Sequence, residues 1–344
     1  MNFFKSAREK ILNNRLERLK KELAQQIKDY RAGELSHINA EHVEKWARQF
    51  PVWKDKKLRA MFMEELIYIF KRTYYSRKRT LSALRYINKL VTPKSYIASI
   101  QKNGASQKEI LELMRSNNLL PPTSPYNGEN VVFYIDDFIF TGNRFLNDIR
   151  AWLTEQKEKL PDYLIINIAV IVDHRYARYS LNKQKSLLMR DLGIRIEFRF
   201  HAKFTYENRY SNRNRSDVLW PVVHPEDPMV KAYLRSLEQK YAFEPRIAGK
   251  GQSPLFRSEE GRQLLERQFL WAGLKISSLS KNPKSILKPL GYGPFSFGFG
   301  SMLVSYRNCP NTTPLALWWG NPDADDGLPI SKWYPLFPRK TYEA

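Results

Sequence analysis

Residues Val131 to Asn143 read VVFYIDDFIFTGN, and the architecture of the chain follows from how that stretch folds. Five apolar residues, Val131 to Ile135, come after the turn-rich stretch PPTSPYNGEN at 121–130. This is the pattern of a short strand buried on both faces. The strand is expected to end on Asp136 and Asp137. Four residues later come Thr141 and Gly142, and then Phe145, Leu146, Ile149, Trp152 and Leu153 recur at spacings of three and four. That periodicity predicts a helix from Arg144 to about Lys159. The order is strand, loop, helix N-terminus.

Such a junction has a chemical use. The first N–H groups of a helix have no partner within it, and the helix dipole favours negative charge there, so a phosphate sits well on the loop. Two adjacent carboxylates cannot serve that phosphate, and they call for hydroxyl donors, a metal ion, or both. The hydrophobic strand, Asp-Asp, three residues and Thr-Gly resemble the ribose-phosphate loop of the type I phosphoribosyltransferases. The resemblance implies that Asp136 and Asp137 are the catalytic pair holding the ribose hydroxyls of phosphoribosyl pyrophosphate, with Mg2+ on the same carboxylates directly or through the ligand. It implies that Thr141, Gly142, Asn143 and Arg144 surround the 5′-phosphate. One position departs from the family, which usually has Ser or Thr two residues after the glycine, where this chain has Arg144. A guanidinium also binds phosphate.

The same letters, Tyr134-Ile135-Asp136-Asp137, spell the Tyr-x-Asp-Asp of reverse transcriptase active sites, where the acidic pair sits at a hairpin tip and binds two metals. That reading requires a second strand directly after the turn, whereas Thr141-Gly142 opens a helix. The blandest reading is a buried strand that ends in solvated acids.

Composition sets the class. The chain has 344 residues, enough for two domains or one large one, each with its own core. It has no run of 18 apolar residues, and its first residues, MNFFKSAREK, lack the apolar run of a secretion signal, so a soluble cytoplasmic protein with no membrane partner is expected. The single cysteine, Cys309, excludes an intrachain disulfide, and the five histidines show no metal-ligand spacing. The 57 Lys and Arg against 35 Asp and Glu leave a net charge of +22. Residues 1–94 hold 23 basic and 10 acidic side chains, net +13, while 101–150 holds 5 and 6. An excess of this kind favours nucleic acid or an acidic protein as partner. A solvated basic helix face is the alternative.

Residues 1–92 read as a basic helical domain. A long helix over 4–31 carries a narrow stripe of Ile11, Leu16, Leu19, Leu23 and Ile27, which can dock on the rest of this chain, on a second copy to make an oligomer, or on a partner. Asn39 is placed to cap a second helix that runs to about Phe50. A third helix is expected over Lys56 to Tyr74, and a fourth over Ser76 to about Leu90. The fourth presents Arg77, Lys78, Arg79 and Arg85 as candidate nucleic-acid or partner contacts, compatible with a helix-turn-helix or winged-helix unit and equally with any helical bundle.

From 93 onward strands and helices alternate. Ser95 to Gln101 reads as a strand, Lys102 to Ser106 as a tight loop and Gln107 to Arg115 as a helix. In the phosphoribosyltransferases an earlier unit of this kind supplies a pyrophosphate loop, so the resemblance makes Lys102, Gly104 and Ser106 candidate substrate contacts. Tyr163 to Asp173, YLIINIAVIVD, is the most hydrophobic run and a central strand. Its ending, Val172-Asp173-His174-Arg175, resembles the Asp-Arg closing of the corresponding strand in orotate phosphoribosyltransferases, which makes Asp173 a further substrate-binding candidate. A helix over Leu181 to Leu192 and a strand over Ile194 to Phe200 complete an α/β fold, a parallel sheet of phosphoribosyltransferase type behind an all-α N-terminal domain. Residues 204–290 are expected to form a hood or insert, in which FTYENRYSNRNRSD is a basic and aromatic loop able to stack a base. Aromatic, Pro-rich strands are expected at the C-terminus.

Taken with the segment from Trp46 to Phe50 and the two loops, the C-terminal stretches resemble the PRTase-CE effectors of bacterial anti-phage conflict systems, some of them retron-associated. That resemblance implies an effector held in check by a partner such as a reverse transcriptase with its DNA–RNA product, and pyrophosphate displacement onto an acceptor the sequence does not identify. Two other classes stay open: a non-catalytic nucleotide-sensing module, and a nucleic-acid-binding scaffold.

Overall fold

The quoted stretch is the centre of a parallel sheet. A computed structural model describes residues 2–35, 38–102, 105–223, 227–236, 244–279 and 288–340, without the side chains of 2–9. In chain order the elements are α1 (Asn2–Gln26), α2 (Ala40–Ala47), α3 (Lys56–Thr73), β1 (Tyr74–Tyr75), α4 (Arg77–Asn88), β2 (Tyr96–Ala98), α5 (Ser106–Arg115), β3 (Val131–Ile139) and α6 (Asn143–Glu155). Then follow β4 (Tyr163–His174), α7 (Arg175–Leu192), β5 (Arg195–Tyr206), α8 (Pro228–Ser236), α9 (Glu259–Ser278), β6 (Val304–Ser305) and α10 (Leu315–Trp318).

Strands β2, β3, β4 and β5 lie side by side in chain order and all pair in parallel. Val132, Tyr134, Leu164, Ile166, Ile168, Val170, Ile196 and Phe198 project from one face into a core shared with Phe145, Ile149, Trp152 and Leu153 of α6 and Ala177, Leu181 and Leu188 of α7. Alternation along the strands selects those positions, and the three-and-four spacing along α6 meets them. The expected parallel α/β sheet is present.

Two compact units make up the chain: residues up to Arg77 with Tyr210–Lys340, and Lys78–Arg209. This departs from the expected split at 92 and from a hood over 204–290. The helical N-terminus shares its core with the C-terminal part, because Trp46 packs edge-on against Phe50 and its Nε1–H donates to the Ala316 carbonyl at 2.7 Å. Trp333 donates to the same oxygen at 3.0 Å. Strand β1 pairs with β6 in parallel, so the C-terminal strand completes this small ladder and not the main sheet. The rest of the expected C-terminal strands are irregular, cross-linked by turns. The helix-turn-helix reading also fails, since α4 belongs to the unit that carries the sheet.

The stripe on α1 finds its partner within the chain. Leu16, Leu19, Leu23 and Ile27 are buried, and α1 packs on α2 and α3, whereas Ile11 stays exposed. Asn39 caps α2 as expected, its side chain accepting from His42 N–H at 2.9 Å. No helix among the described residues is long and apolar enough to cross a membrane.

Candidate functional site

Strand β3 continues through Ile139, four residues past its apolar start, so Asp136 and Asp137 lie inside it and not at its end. Consecutive side chains of a strand leave on opposite sides, and the two carboxylates differ accordingly. Asp136 is 3% exposed. Its Oδ2 accepts from the Tyr134 hydroxyl at 2.9 Å and the Ser106 hydroxyl at 3.3 Å, and its Oδ1 accepts from the Asp137 backbone N–H at 2.8 Å. Burial, and then the charge on Asp136, raises the Tyr134 phenol well above its ordinary pKa and keeps it a donor. Asp137 is half-buried, and its Oδ1 accepts from Phe138 N–H at 2.7 Å.

These residues do not make a metal cage. Among the described residues no cluster of three His, Cys, Asp or Glu side chains stands together, and both oxygens of Asp136 are taken by protein donors. A hard cation that keeps its waters and binds mainly to substrate phosphates fits this arrangement better than one held by the two carboxylates.

Thr141 and Gly142 bring β3 into α6. Gly142 stands before the first helical residue at φ 82, the left-handed region, and no side chain caps the helix. The Asn143 N–H donates to Thr141 Oγ1 at 3.4 Å, a long contact that leaves the helix start otherwise uncapped. Asn143 and Arg144 are exposed beside it. An uncapped, exposed start of a 13-residue helix directly after a buried strand is the geometry an anion uses.

The unit before it comes to the same sheet edge. Ser106 opens α5 and reaches Asp136, and Gln107 fastens the end of β2, accepting from Ile100 N–H at 2.9 Å and donating to the Ala98 carbonyl at 3.0 Å. Lys102 is exposed and ion-paired with Glu155 of α6. Gly104 lies outside the described residues.

Asp173 stands in register with Ile139 and Thr205, three residues beyond the level of Asp136 on the same strand array. It is 1% exposed and pairs with Arg178, whose Nη2 donates to Thr205 Oγ1 at 2.8 Å. The partner arginine therefore comes from the first turn of α7, while Arg175, next but one to Asp173 in sequence, is exposed. His174 is buried, donates from Nδ1 to the Ile139 carbonyl at 2.9 Å and stacks on Phe140. Burial takes it down to about 4, only partly offset by that bond.

The basic candidates separate. On α4, Thr80, Ala83, Leu84 and Ile87 are buried, while Lys78, Arg85 and Lys89 recur at spacings of seven and four on the opposite side, with Tyr86 exposed next to them. Arg77 is exposed at the helix start, and Arg79 is half-buried on the flank. In the expected base-stacking loop, Arg209 pairs with Glu207 and Arg213 with Glu244. Sequence reasoning missed Tyr134 and Asp148. Asp148 carried a signal, being an acid inside the apolar stripe between Phe145 and Ile149.

The profile of the PRTase-CE family matches residues 43–339. No curated protein and no solved structure matches the chain significantly.

Proposed function

This chain belongs to the PRTase-CE family and is phosphoribosyltransferase-like, and from that premise we propose that its sheet unit binds phosphoribosyl pyrophosphate, or a phosphoribosyl nucleotide, at the C-terminal edge of β3. The observation that carries the reading is the passage from β3 through left-handed Gly142 to an uncapped α6, with Asp137 just upstream. The α6 start and Arg144 take the 5′-phosphate. Asp137 accepts from the ribose hydroxyls, and Asp136, held by Tyr134 and Ser106, keeps the strand end in place. The 102–106 stretch receives the pyrophosphate, and Mg2+ enters with the ligand on its own phosphate oxygens. In turnover an acceptor nucleophile bonds to C1 of the ribose as the C1–O bond breaks, and pyrophosphate leaves with the electron pair. The protein's part is positioning and charge stabilisation. Family resemblance supports a setting in anti-phage defence, with a nucleic acid or nucleoprotein partner at the basic face of α4.

Calorimetric titration with phosphoribosyl pyrophosphate and Mg2+ tests the site. Asp137→Asn is expected to weaken binding about tenfold to a hundredfold, the range for a hydrogen bond to a charged group. Unchanged affinity removes the assignment. A second reading, a sensor that binds without turnover, is favoured by Arg144 at the position of the family hydroxyl and by the internal bonding of Asp136. Pyrophosphate release by the wild type, assayed across nucleobase, RNA and protein acceptors, separates the two.

A further inference from the structure

Asp148 has no place in the reading so far. It is a carboxylate 8% exposed in the apolar face of α6, and one of its oxygens, Oδ2, has no hydrogen-bond partner. A buried acid of this kind costs stability and calls for a compensating role. Burial raises its carboxyl, while a hydrogen bond from the Lys102 backbone N–H, and then the charges of Arg144 and Lys102, pull it back down. Lys102 is tied to the same helix a second time, because its side chain pairs with Glu155, seven residues after Asp148 and on the same face. The other end of that stretch, Ser106, is tied to Asp136. Two residues on either side of a short stretch are thus fastened to the β3–α6 element, one through backbone and side chain, the other through a hydroxyl.

We propose that Asp148 is a positioning residue that holds the Lys102 backbone against α6 and so sets the spacing between the 102–106 stretch and the 5′-phosphate loop at Thr141 to Arg144. The proposal rests on the phosphoribosyl reading of the site. A ligand with phosphate at one end only, such as ribose 5-phosphate, needs the α6 loop alone, whereas phosphoribosyl pyrophosphate needs both loops at the correct separation. Asp148 touches neither ligand in this account. It acts through Lys102.

The test is calorimetric titration of the full chain with both ligands and Mg2+, for the wild type, Asp148→Ala and Asp148→Asn. Asp148→Ala removes the acceptor and is expected to weaken phosphoribosyl pyrophosphate about tenfold or more, while ribose 5-phosphate stays within about twofold. Asp148→Asn keeps an oxygen for the Lys102 N–H and is expected to restore most of the affinity, a rescue that a generally loosened fold does not give. If the wild type binds both ligands and Asp148→Ala weakens both equally or neither, the positioning role is wrong and the phosphoribosyl reading stands. If the wild type binds neither ligand, the reading of the site fails and the role of Asp148 falls with it. Should Asp148→Ala fail to fold, the Asp148→Asn titration decides alone: parity with the wild type on both ligands supports the proposal, and a selective weakening of phosphoribosyl pyrophosphate overturns it.

Discussion

The two units of the chain are built by different means. In Lys78–Arg209 each strand pairs with the next strand along the chain, and α6 and α7 cover the sheet with the same periodic residues that mark them as helices. In the other unit the core joins segments hundreds of residues apart through irregular chain. Trp46, Phe50, Phe62, Phe269 and Trp333 meet there in one aromatic cluster. Buried charge is spread across the same core: Glu266 accepts from both Arg246 and Arg262, all three within 1% of full burial. Periodicity reports a partner only when the partner is regular. A coil that closes a core leaves no period to read.

Two glycines at positive φ put that difference to measurement. Gly291, at φ 93 in the irregular unit, has no room for a Cβ, which would lie 2.3 Å from the Thr313 carbonyl oxygen and 2.6 Å from the Thr312 backbone carbon. Gly142, at φ 82 in the sheet unit, would place its Cβ 2.8 Å from Leu181 Cγ, the body of a side chain that can turn. Gly291→Ala is expected to cost about 3–5 kcal/mol in urea unfolding, because backbone must move against backbone as well as accept a disfavoured φ. Gly142→Ala is expected to cost about 1–2 kcal/mol, chiefly the left-handed strain. Equal costs would mean that the irregular segment is as loosely held as a surface loop.

The next effect is in the sheet unit and depends on pH. His174 titrates at about 4 when folded, driven down by burial, so the folded protein prefers it neutral. The unfolded chain takes up a proton near 6.5, the ordinary value. Stability from this group is therefore complete above about pH 6.5 and is lost as the pH falls toward 4, by about 3 kcal/mol. His174→Phe keeps the ring on Phe140 and removes the titration. Unfolding free energies of the two proteins at pH 7 and pH 4 should diverge by about that amount, and parallel curves would place the acid sensitivity elsewhere.

Much of the sheet unit was legible in sequence because burial on both faces gives uninterrupted apolar runs, as in 163–173, and because Gly142 and Asn39 mark helix starts by their own chemistry. What escaped was the end of β3. Asp136 reads as a terminator, yet it stays in the strand since Tyr134 and Ser106 satisfy its carboxylate, and neither bond has a sequence pattern. Arg178 escaped for a similar reason, as nothing in spacing says that an arginine one turn into α7, and not the nearer Arg175, will fold back on Asp173. The domain boundary was misplaced because charge follows the helices, whereas the core follows the aromatic residues at both ends of the chain.

The smallest expected effect concerns the face of α4, and it is where charge and core can be separated. Lys78, Arg85 and Lys89 lie opposite the buried Thr80, Ala83, Leu84 and Ile87, so their substitution leaves packing intact. If this face meets the phosphates of a nucleic acid, removing each side chain that neutralises a phosphate should lower the slope of log affinity against log salt by about 0.7–0.9. Lys78→Glu with Arg85→Glu should therefore flatten it by about two units. Arg79, half-buried on the flank, should change the slope less than either, which distinguishes an ordered face from general basicity. The competing account is that these side chains only solvate the helix. Fluorescence anisotropy of a labelled single-stranded oligonucleotide at several salt concentrations decides, since a wild-type slope near zero, or equal changes on substituting Arg79 and Arg85, leaves α4 as a solvated surface with no role in binding.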